Sequence, residues 1–90
     1  MKVRVRLLRP FCDAVGRPEI EVAVPEGATV RHLVIHLCEQ FPELAPHIYE
    51  AGGGITEYLT MFLNDKPVMD LEMALHEGDE VLMMFPVSGG

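Results

Sequence analysis

The sequence has few cysteines and no long apolar run, and each shortage excludes a class of protein. Its 90 residues contain only Cys12 and Cys38, too few for a four-cysteine zinc site or a ferredoxin-type iron–sulfur cluster. Cys12 falls in a predicted turn and Cys38 on the apolar side of a predicted helix, so no structural disulfide is expected. No apolar stretch is long enough to span a bilayer, and the alternating charges of residues 1–6 do not fit a signal peptide. We therefore expect a cytoplasmic protein without a membrane partner.

Basic residues are also scarce. Seven lysines and arginines stand against fourteen aspartates and glutamates, which gives a formal net charge of −7. This balance argues against nucleic-acid binding, which requires basic surfaces. It favours instead a protein partner with a basic docking face, because opposite charges speed the encounter.

The first quarter of the chain has the alternating pattern of two half-buried strands. Apolar and charged residues alternate over residues 1–8 and again over residues 19–24, and the turn-rich residues 9–18 join them. Period-two alternation predicts two strands in an antiparallel hairpin with a long loop. The opposite charges on the outward sides support that pairing, with Arg4 and Arg6 predicted to face Glu19 and Glu21.

The next segment has the pattern of an amphipathic helix. Thr29 is a suitable N-cap, and Pro42 ends the pattern near Phe41. One apolar stripe runs between them at helical spacing, made of Val30, Leu33, Val34, Leu37, Cys38 and Phe41. Residues 42–57 are predicted to form an irregular connection with one short turn around residues 44–49.

Three further strands are predicted, at residues 58–63, at Val68 and Met69, and at residues 80–86. A helix that carries the chain across one face of the sheet lets the last strand lie parallel to the first. The expected fold is therefore α+β, with a mixed sheet packed on one helix. We expect a single domain over residues 1–90, with an extended tail at residues 86–90.

The sequence ends on Gly89 and Gly90, and this end is the strongest functional signal. Glycine has no Cβ, so such a segment can extend through a narrow channel. An α-carboxyl has a pKa of about 3.3–3.7, so at neutral pH it is an anion suited to attack a nucleotide phosphate. We predict that the carboxylate of Gly90 is itself the reacting group, and that Val87, Ser88 and Gly89 provide reach and anchorage.

The order of elements and three motifs resemble the MoaD/ThiS family of ubiquitin-like sulfur carriers, and within it most closely the MoaD branch, the small subunits of molybdopterin synthase. The motifs are Leu63-Asn64-Asp65, Glu77-Gly78-Asp79-Glu80-Val81 and Phe85-Pro86-Val87-Ser88-Gly89-Gly90. The resemblance implies a β-grasp fold. It also implies that a ubiquitin-activating-type adenylyltransferase (MoeB-like) adenylates the terminal glycine with ATP and magnesium, before its conversion to a thiocarboxylate.

Under this resemblance the chain binds no cofactor itself and is not an enzyme alone. It would insert its tail into the large subunit of molybdopterin synthase (MoaE-like) and give up sulfur there. Carriers for thiamine, cysteine or tRNA thiolation remain alternatives. So do a ubiquitin-like protein modifier and a β-grasp binding module whose Gly-Gly end is incidental.

The predicted sheet leaves apolar side chains on its outer side. Alternation points six residues inward: Leu59, Met61, Leu63, Val81, Met83 and Phe85. It points Leu8, Phe62, Leu82 and Met84 outward, and such an exposed patch marks a partner surface, to which we add Pro86. The alternatives are burial beneath residues 40–57 and homodimerisation.

No metal site or catalytic side chain is predicted. His32 and His36 have the spacing of a metal-binding pair on a helix, but no further ligand has fixed spacing, so a solvated polar face is expected. Cys38 has no assigned base. Residues 52–54 are three glycines without the Lys-Ser/Thr of a phosphate loop, and we interpret them as a flexible connection.

Overall fold

Five strands form one mixed sheet in the computed structural model, which describes residues 1–86. The strands are β1 (Lys2–Leu7), β2 (Glu19–Ala23), β3 (Thr60–Leu63), β4 (Lys66–Pro67) and β5 (Glu80–Met84). The helices are α1 (Phe11–Val15), α2 (Val30–Gln40) and α3 (Ala45–Ile48), with a 3-10 turn at Pro42–Leu44. None of the helices in this part of the chain is long and apolar enough to cross a membrane.

The order of strands across the sheet is β2-β1-β5-β3-β4. β1 pairs antiparallel with β2 and parallel with β5, so the predicted hairpin and the predicted parallel last strand are both confirmed. The register places Arg4 opposite Glu21 and Arg6 opposite Glu19, as predicted. The shortest ion pair between β1 and β2 is diagonal, since Arg4 Nε lies 3.0 Å from a Glu19 carboxylate oxygen. Both side chains are half-exposed, so the pair adds less than about 1 kcal/mol.

Helix α2 begins and ends close to the predicted bounds. The Thr29 hydroxyl accepts a hydrogen bond from the His32 backbone N–H at 3.4 Å, and the Thr29 N–H donates to His32 Nδ1 at 3.0 Å. Together these bonds form a capping box that satisfies two otherwise unpaired donors. The helix presents a buried stripe to the sheet: Val30, Leu33, Val34, Leu37 and Cys38.

The core lies between this stripe and the inward side of the sheet. Of the six residues predicted to point inward, Met61, Leu63, Val81 and Met83 are buried, and Leu59 and Phe85 are half-buried against the same cluster. The prediction of which side chains point inward from β3 and β5 is therefore confirmed.

Residues 9–18 are more ordered than the predicted loop. They contain helix α1, whose first residue, Phe11, is completely buried. The Phe11 ring lies 4.8 Å from the ring of Phe85 and 6.3 Å, edge-on, from that of His47. Cys12 accordingly lies in a helix and not in a turn.

The connection over residues 42–57 contains a helical turn where one short turn was predicted, around residues 44–49, but the ordered part is longer because a 3-10 turn at Pro42–Leu44 precedes α3. The 3-10 turn and α3 place Leu44 and Ile48 one helical turn apart, and both are completely buried. This segment therefore closes the core rather than crossing its surface.

Three strand bounds also differ from the prediction. β3 begins at Thr60, and β5 ends at Met84. The short strand is Lys66–Pro67, not Val68 and Met69. Asn64 and Asp65 have positive φ values of 49° and 70°, which is the geometry of a two-residue type I′ turn. Such a turn brings Lys66 directly opposite Leu63.

Candidate partner-binding face

The structure brings the four predicted outward residues together on the outer side of the sheet. Leu82 of β5 lies opposite Phe62 of β3, and Met84 opposite Thr60. Leu7 is level with Met83. We call the set the apolar face: Leu8, Phe62, Leu82 and Met84.

Leu8 completes this face from the neighbouring strand. Its backbone N–H donates to the carbonyl of Met83 at 3.0 Å, which extends the β1–β5 pairing one residue beyond β1. Its side chain is 42% exposed, and those of Phe62, Leu82 and Met84 are half-buried. Leu44 and Ile48 join the core cluster on the inward side, so the connection that contains them does not cover the apolar face.

The charged neighbours of the apolar face neutralise one another. Arg6 is level with Leu82 in the β1–β5 pairing, and its guanidinium lies 3.5 Å from a carboxylate oxygen of Glu80. Arg4 lies 3.9 Å from the same carboxylate, and Lys2 lies 3.6 Å from that of Glu21. The apolar face is therefore bordered by ion pairs, as the rim of a protein interface is.

The start of β5 is held by two of the motifs that carry the family resemblance. The Asn64 side chain donates from Nδ2 to the Asp79 carboxylate at 2.9 Å and accepts from the Glu80 N–H at 3.0 Å. The other Asp79 oxygen accepts from the His76 N–H at 2.8 Å. These bonds fix the β3 turn to the first residue of β5. The two motifs, distant in sequence, thus set the position of one strand.

Beyond β5 the chain passes a groove that the sequence did not reveal. Phe85 turns inward onto Phe11, and Pro86 is exposed. Both line a groove of about 540 Å³, together with Pro46, His47, Tyr49, Glu50, Thr56 and Tyr58. Tyr58 is 66% exposed. Pro86, predicted as a partner contact, thus borders this groove after the end of β5.

The predicted reacting tail is not part of the described structure. Val87, Ser88, Gly89 and Gly90 lie outside residues 1–86, so their assigned roles remain predictions. The strand that leads to them is described, and its outward residues Leu82 and Met84 belong to the apolar face.

The cysteine and histidine considered as reactive or metal-binding groups have positions that suit a structural role. Cys38 is 8% exposed, and burial raises the pKa of its thiol, against the weaker lowering effect of a hydrogen bond with Tyr49. Burial likewise raises the pKa of the Tyr49 hydroxyl. A buried thiol of raised pKa stays protonated at neutral pH and is a poor nucleophile. His32 accepts a hydrogen bond from the Thr29 N–H through Nδ1, as part of the capping box of α2. Within residues 1–86, no three histidine, cysteine or acidic side chains cluster as a metal site would.

A mixed five-stranded sheet around one principal helix, with the last strand between β1 and β3, defines a ubiquitin-like β-grasp protein. The model of the ThiS family matches residues 5–90. The chain therefore belongs to the ThiS family of ubiquitin-like sulfur carriers.

Three known proteins are similar over almost the whole chain. Small archaeal modifier protein 3 of Haloferax volcanii is 29% identical over an alignment 93 positions long, which covers 100% of both chains. The crystal structure of SAMP1 from Haloferax volcanii superposes with a TM-score of 0.91 over 100% of both chains, at 24% identity. A putative molybdopterin converting factor, subunit 1, from Pyrococcus furiosus superposes with a TM-score of 0.80 at 25% identity, covering 97% of this chain and 99% of that one.

Proposed function

We propose that this protein carries sulfur as a thiocarboxylate on Gly90 and delivers it while docked through the apolar face. The observation that carries the proposal is the placement of that face. Leu82 and Met84 lie on the outward side of β5, which ends at Met84. A partner seated on the apolar face would therefore contact the chain with only Phe85 and Pro86 between that contact and the tail.

The chemistry requires no catalytic side chain from this chain. An oxygen of the Gly90 carboxylate attacks the α-phosphorus of ATP and displaces pyrophosphate, which gives an acyl-adenylate. Hydrosulfide then attacks the acyl carbon and displaces AMP, and loss of its proton leaves a thiocarboxylate. The MoeB-like adenylyltransferase would supply the magnesium and the positive charge that stabilise the phosphates.

The acceptor we favour is the molybdopterin pathway, with this chain as the small subunit of molybdopterin synthase and a MoaE-like large subunit as partner. The tail motif supports this choice. So does the similarity to the Pyrococcus furiosus protein, whose name is a putative molybdopterin converting factor, subunit 1.

A second candidate is protein modification, in which Gly90 is joined to lysines of other proteins. The name of the relative that is 29% identical over the whole chain, small archaeal modifier protein 3, favours it. Only Lys2 and Lys66 are available as acceptors on this chain, so self-linked chains would have few attachment sites.

Intact-mass measurement tests the reactive glycine. The protein is incubated with its adenylyltransferase, ATP, magnesium and sulfide, and we expect the mass increase that replaces one oxygen by sulfur. Deletion of Gly90, or one alanine added after it, should abolish the increase, because the carboxylate no longer reaches the ATP. Circular dichroism should show an unchanged fold, since neither change touches the core. A thiocarboxylate on the extended protein would contradict the proposal.

The thiocarboxylated protein then distinguishes the two candidate functions. Formation of molybdopterin, when the large subunit and the precursor of molybdopterin are added, supports the first. Isopeptide links from Gly90 to lysines, found by mass spectrometry after tryptic digestion, support the second.

A further inference from the structure

Strand β2 forms an open edge of the sheet. In residues 1–86 its only neighbour is β1. The Leu7 N–H donates to the Pro18 carbonyl, and the Val24 N–H to the Met1 carbonyl, each at 2.8 Å. In an antiparallel pair, such bonds recur at every second residue. The even-numbered residues of β2 therefore bond to β1, and the odd-numbered residues direct their N–H and C=O groups to the open side.

Three residues of β2 thus direct their backbone N–H and C=O groups to the open edge, where another chain can pair with them: Glu19, Glu21 and Ala23. An edge of this kind is a template for an added strand, which main-chain hydrogen bonds would hold. The opposite edge offers less, because β4 has only two residues and one of them is Pro67, which lacks an N–H.

An apolar groove lies at the end of this edge, on the helix side of the sheet. It measures about 290 Å³ and lies between the end of β2 and the outer side of α2. Val24, Ala28 and Ile35 contribute its apolar lining, and Ile35 is 39% exposed. In a strand added to β2, every second side chain would point to this side. Apolar side chains at those positions would cover Ile35.

The intervening side chains of an added strand would point to the outer side, beside Glu19 and Glu21. The side chains of these two glutamates are 48% and 62% exposed. Glu26 and Glu39 border the groove as well. Lys2 and Arg4 already pair with Glu21 and Glu19, at 3.6 and 3.0 Å. These ion pairs are exposed to solvent and therefore weak, so basic side chains at the intervening positions would compete with Lys2 and Arg4 for the carboxylates. The net charge of −7 acts in the same direction.

We propose that β2 binds an extended segment of another protein in which basic and β-branched apolar residues alternate, as an added strand. A second copy of this chain is disfavoured, because antiparallel pairing of β2 with itself about its central residue, Glu21, places that glutamate opposite its copy, which is destabilising. β1 separates β2 from β5, so this segment and the partner on the apolar face can be bound together.

The test uses the full-length protein, labelled with nitrogen-15, and the peptide acetyl-Lys-Val-Lys-Val-Lys-amide as probe. Saturable shift changes are expected at the backbone amides of Glu19, Glu21 and Ala23, whose hydrogen exchange should also slow. Leu8, Phe62, Leu82 and Met84 should be unaffected. The same peptide with glutamate in place of lysine should not bind.

A pair of substitutions at one position separates strand addition from simple charge attraction. Glu21→Pro and Glu21→Thr both remove the carboxylate, but only Glu21→Pro removes the central outward N–H. Proline is tolerated on an edge strand when its nitrogen faces away from the ladder, and thermal melts would verify the fold. Affinity should fall about tenfold or more for Glu21→Pro and about threefold or less for Glu21→Thr. If Glu21→Pro does not fold, Ala23→Pro tests the same donor row.

Four results would overturn the proposal. These are no saturable change at β2, shift changes confined to the apolar face, and equal affinity of the proline and threonine variants. The fourth is a dimer in analytical ultracentrifugation that Glu21→Pro dissociates, because the edge would then belong to a second copy of this chain.

Discussion

Aspartate substitutions at two adjacent residues of β5 should have opposite consequences. Met83 is completely buried, whereas Met84 is half-buried on the outer side of the sheet. Loss of a buried methionine side chain costs about 2–5 kcal/mol, and an unpaired carboxylate in its place adds several more. A domain of this size has about 5–15 kcal/mol of stability in total. Met83→Asp should therefore unfold the protein.

Met84→Asp should leave the fold intact and weaken docking. It removes a half-buried side chain whose carboxylate replacement can reach water, so we expect a loss of about 1 kcal/mol in the free energy of unfolding. At the centre of an interface, the same charge must be desolvated, which costs about 2 kcal/mol or more of binding free energy. Affinity should fall about thirtyfold or more.

Urea unfolding and size-exclusion binding to the adenylyltransferase measure both effects. Met83→Leu and Met84→Leu are the matched controls, and each should stay within about 1.5 kcal/mol of the natural protein. If Met84→Asp unfolds the protein and Met83→Asp does not, the register of β5 is wrong. If Met84→Asp folds and binds normally, the apolar face is not the docking surface.

Two further predictions concern the core. Phe11→Ala should lower the free energy of unfolding in urea by about 3–5 kcal/mol, because it empties the space between Phe85 and the rest of the core; a loss below about 1 kcal/mol would show that α1 does not pack there. Because the pKa of the Cys38 thiol is raised in the folded protein, the unfolded chain loses the thiol proton first when the pH rises above the ordinary pKa of 9.0. This contribution to stability is therefore complete below about pH 9 and is lost as the pH rises through the folded pKa. Cys38→Ala should flatten the alkaline fall of stability in urea melts, and an unchanged slope would contradict the cause assigned.

The regular elements were predictable because each repeats a pattern over several residues. β1, β2 and α2 each contain at least two full repeats of their period, so a single exception does not shift the assignment. The apolar face followed from the same alternation, since the side of a strand that does not enter the core is fixed once the other side is known.

The segments that were missed bury isolated residues. Phe11 is the one completely buried residue of α1. Ala14 and Val15 follow it at helical spacing, but α1 has only five residues and lies between Pro10 and Gly16, which are typical of turns. A short turn was predicted around residues 44–49, but the burial of Leu44 and Ile48 was not, because Pro42 and Pro46 beside them are typical of loops at the surface. The strand predicted at Val68 and Met69 lies at Lys66–Pro67 instead. Its position depends on the turn formed by Asn64 and Asp65, whose φ angles are positive, and not on its own residues. The groove behind Phe85 joins three separated segments, which no local pattern can reveal.

The position of β5 has a consequence for synthesis of the chain. β5 is the last strand within residues 1–86, yet it lies between β1 and β3. Before the ribosome has made β5, the hairpins β1–β2 and β3–β4 can form, but they have no common neighbour and the sheet stays divided. Joining them requires contacts between residues far apart in sequence, which form slowly. The apolar face, which needs β1, β3 and β5 together, thus appears only when the sheet has closed. Chains in which β5 is not yet made or not yet paired lack this face, so a partner that binds it can distinguish molecules with a closed sheet from those without one.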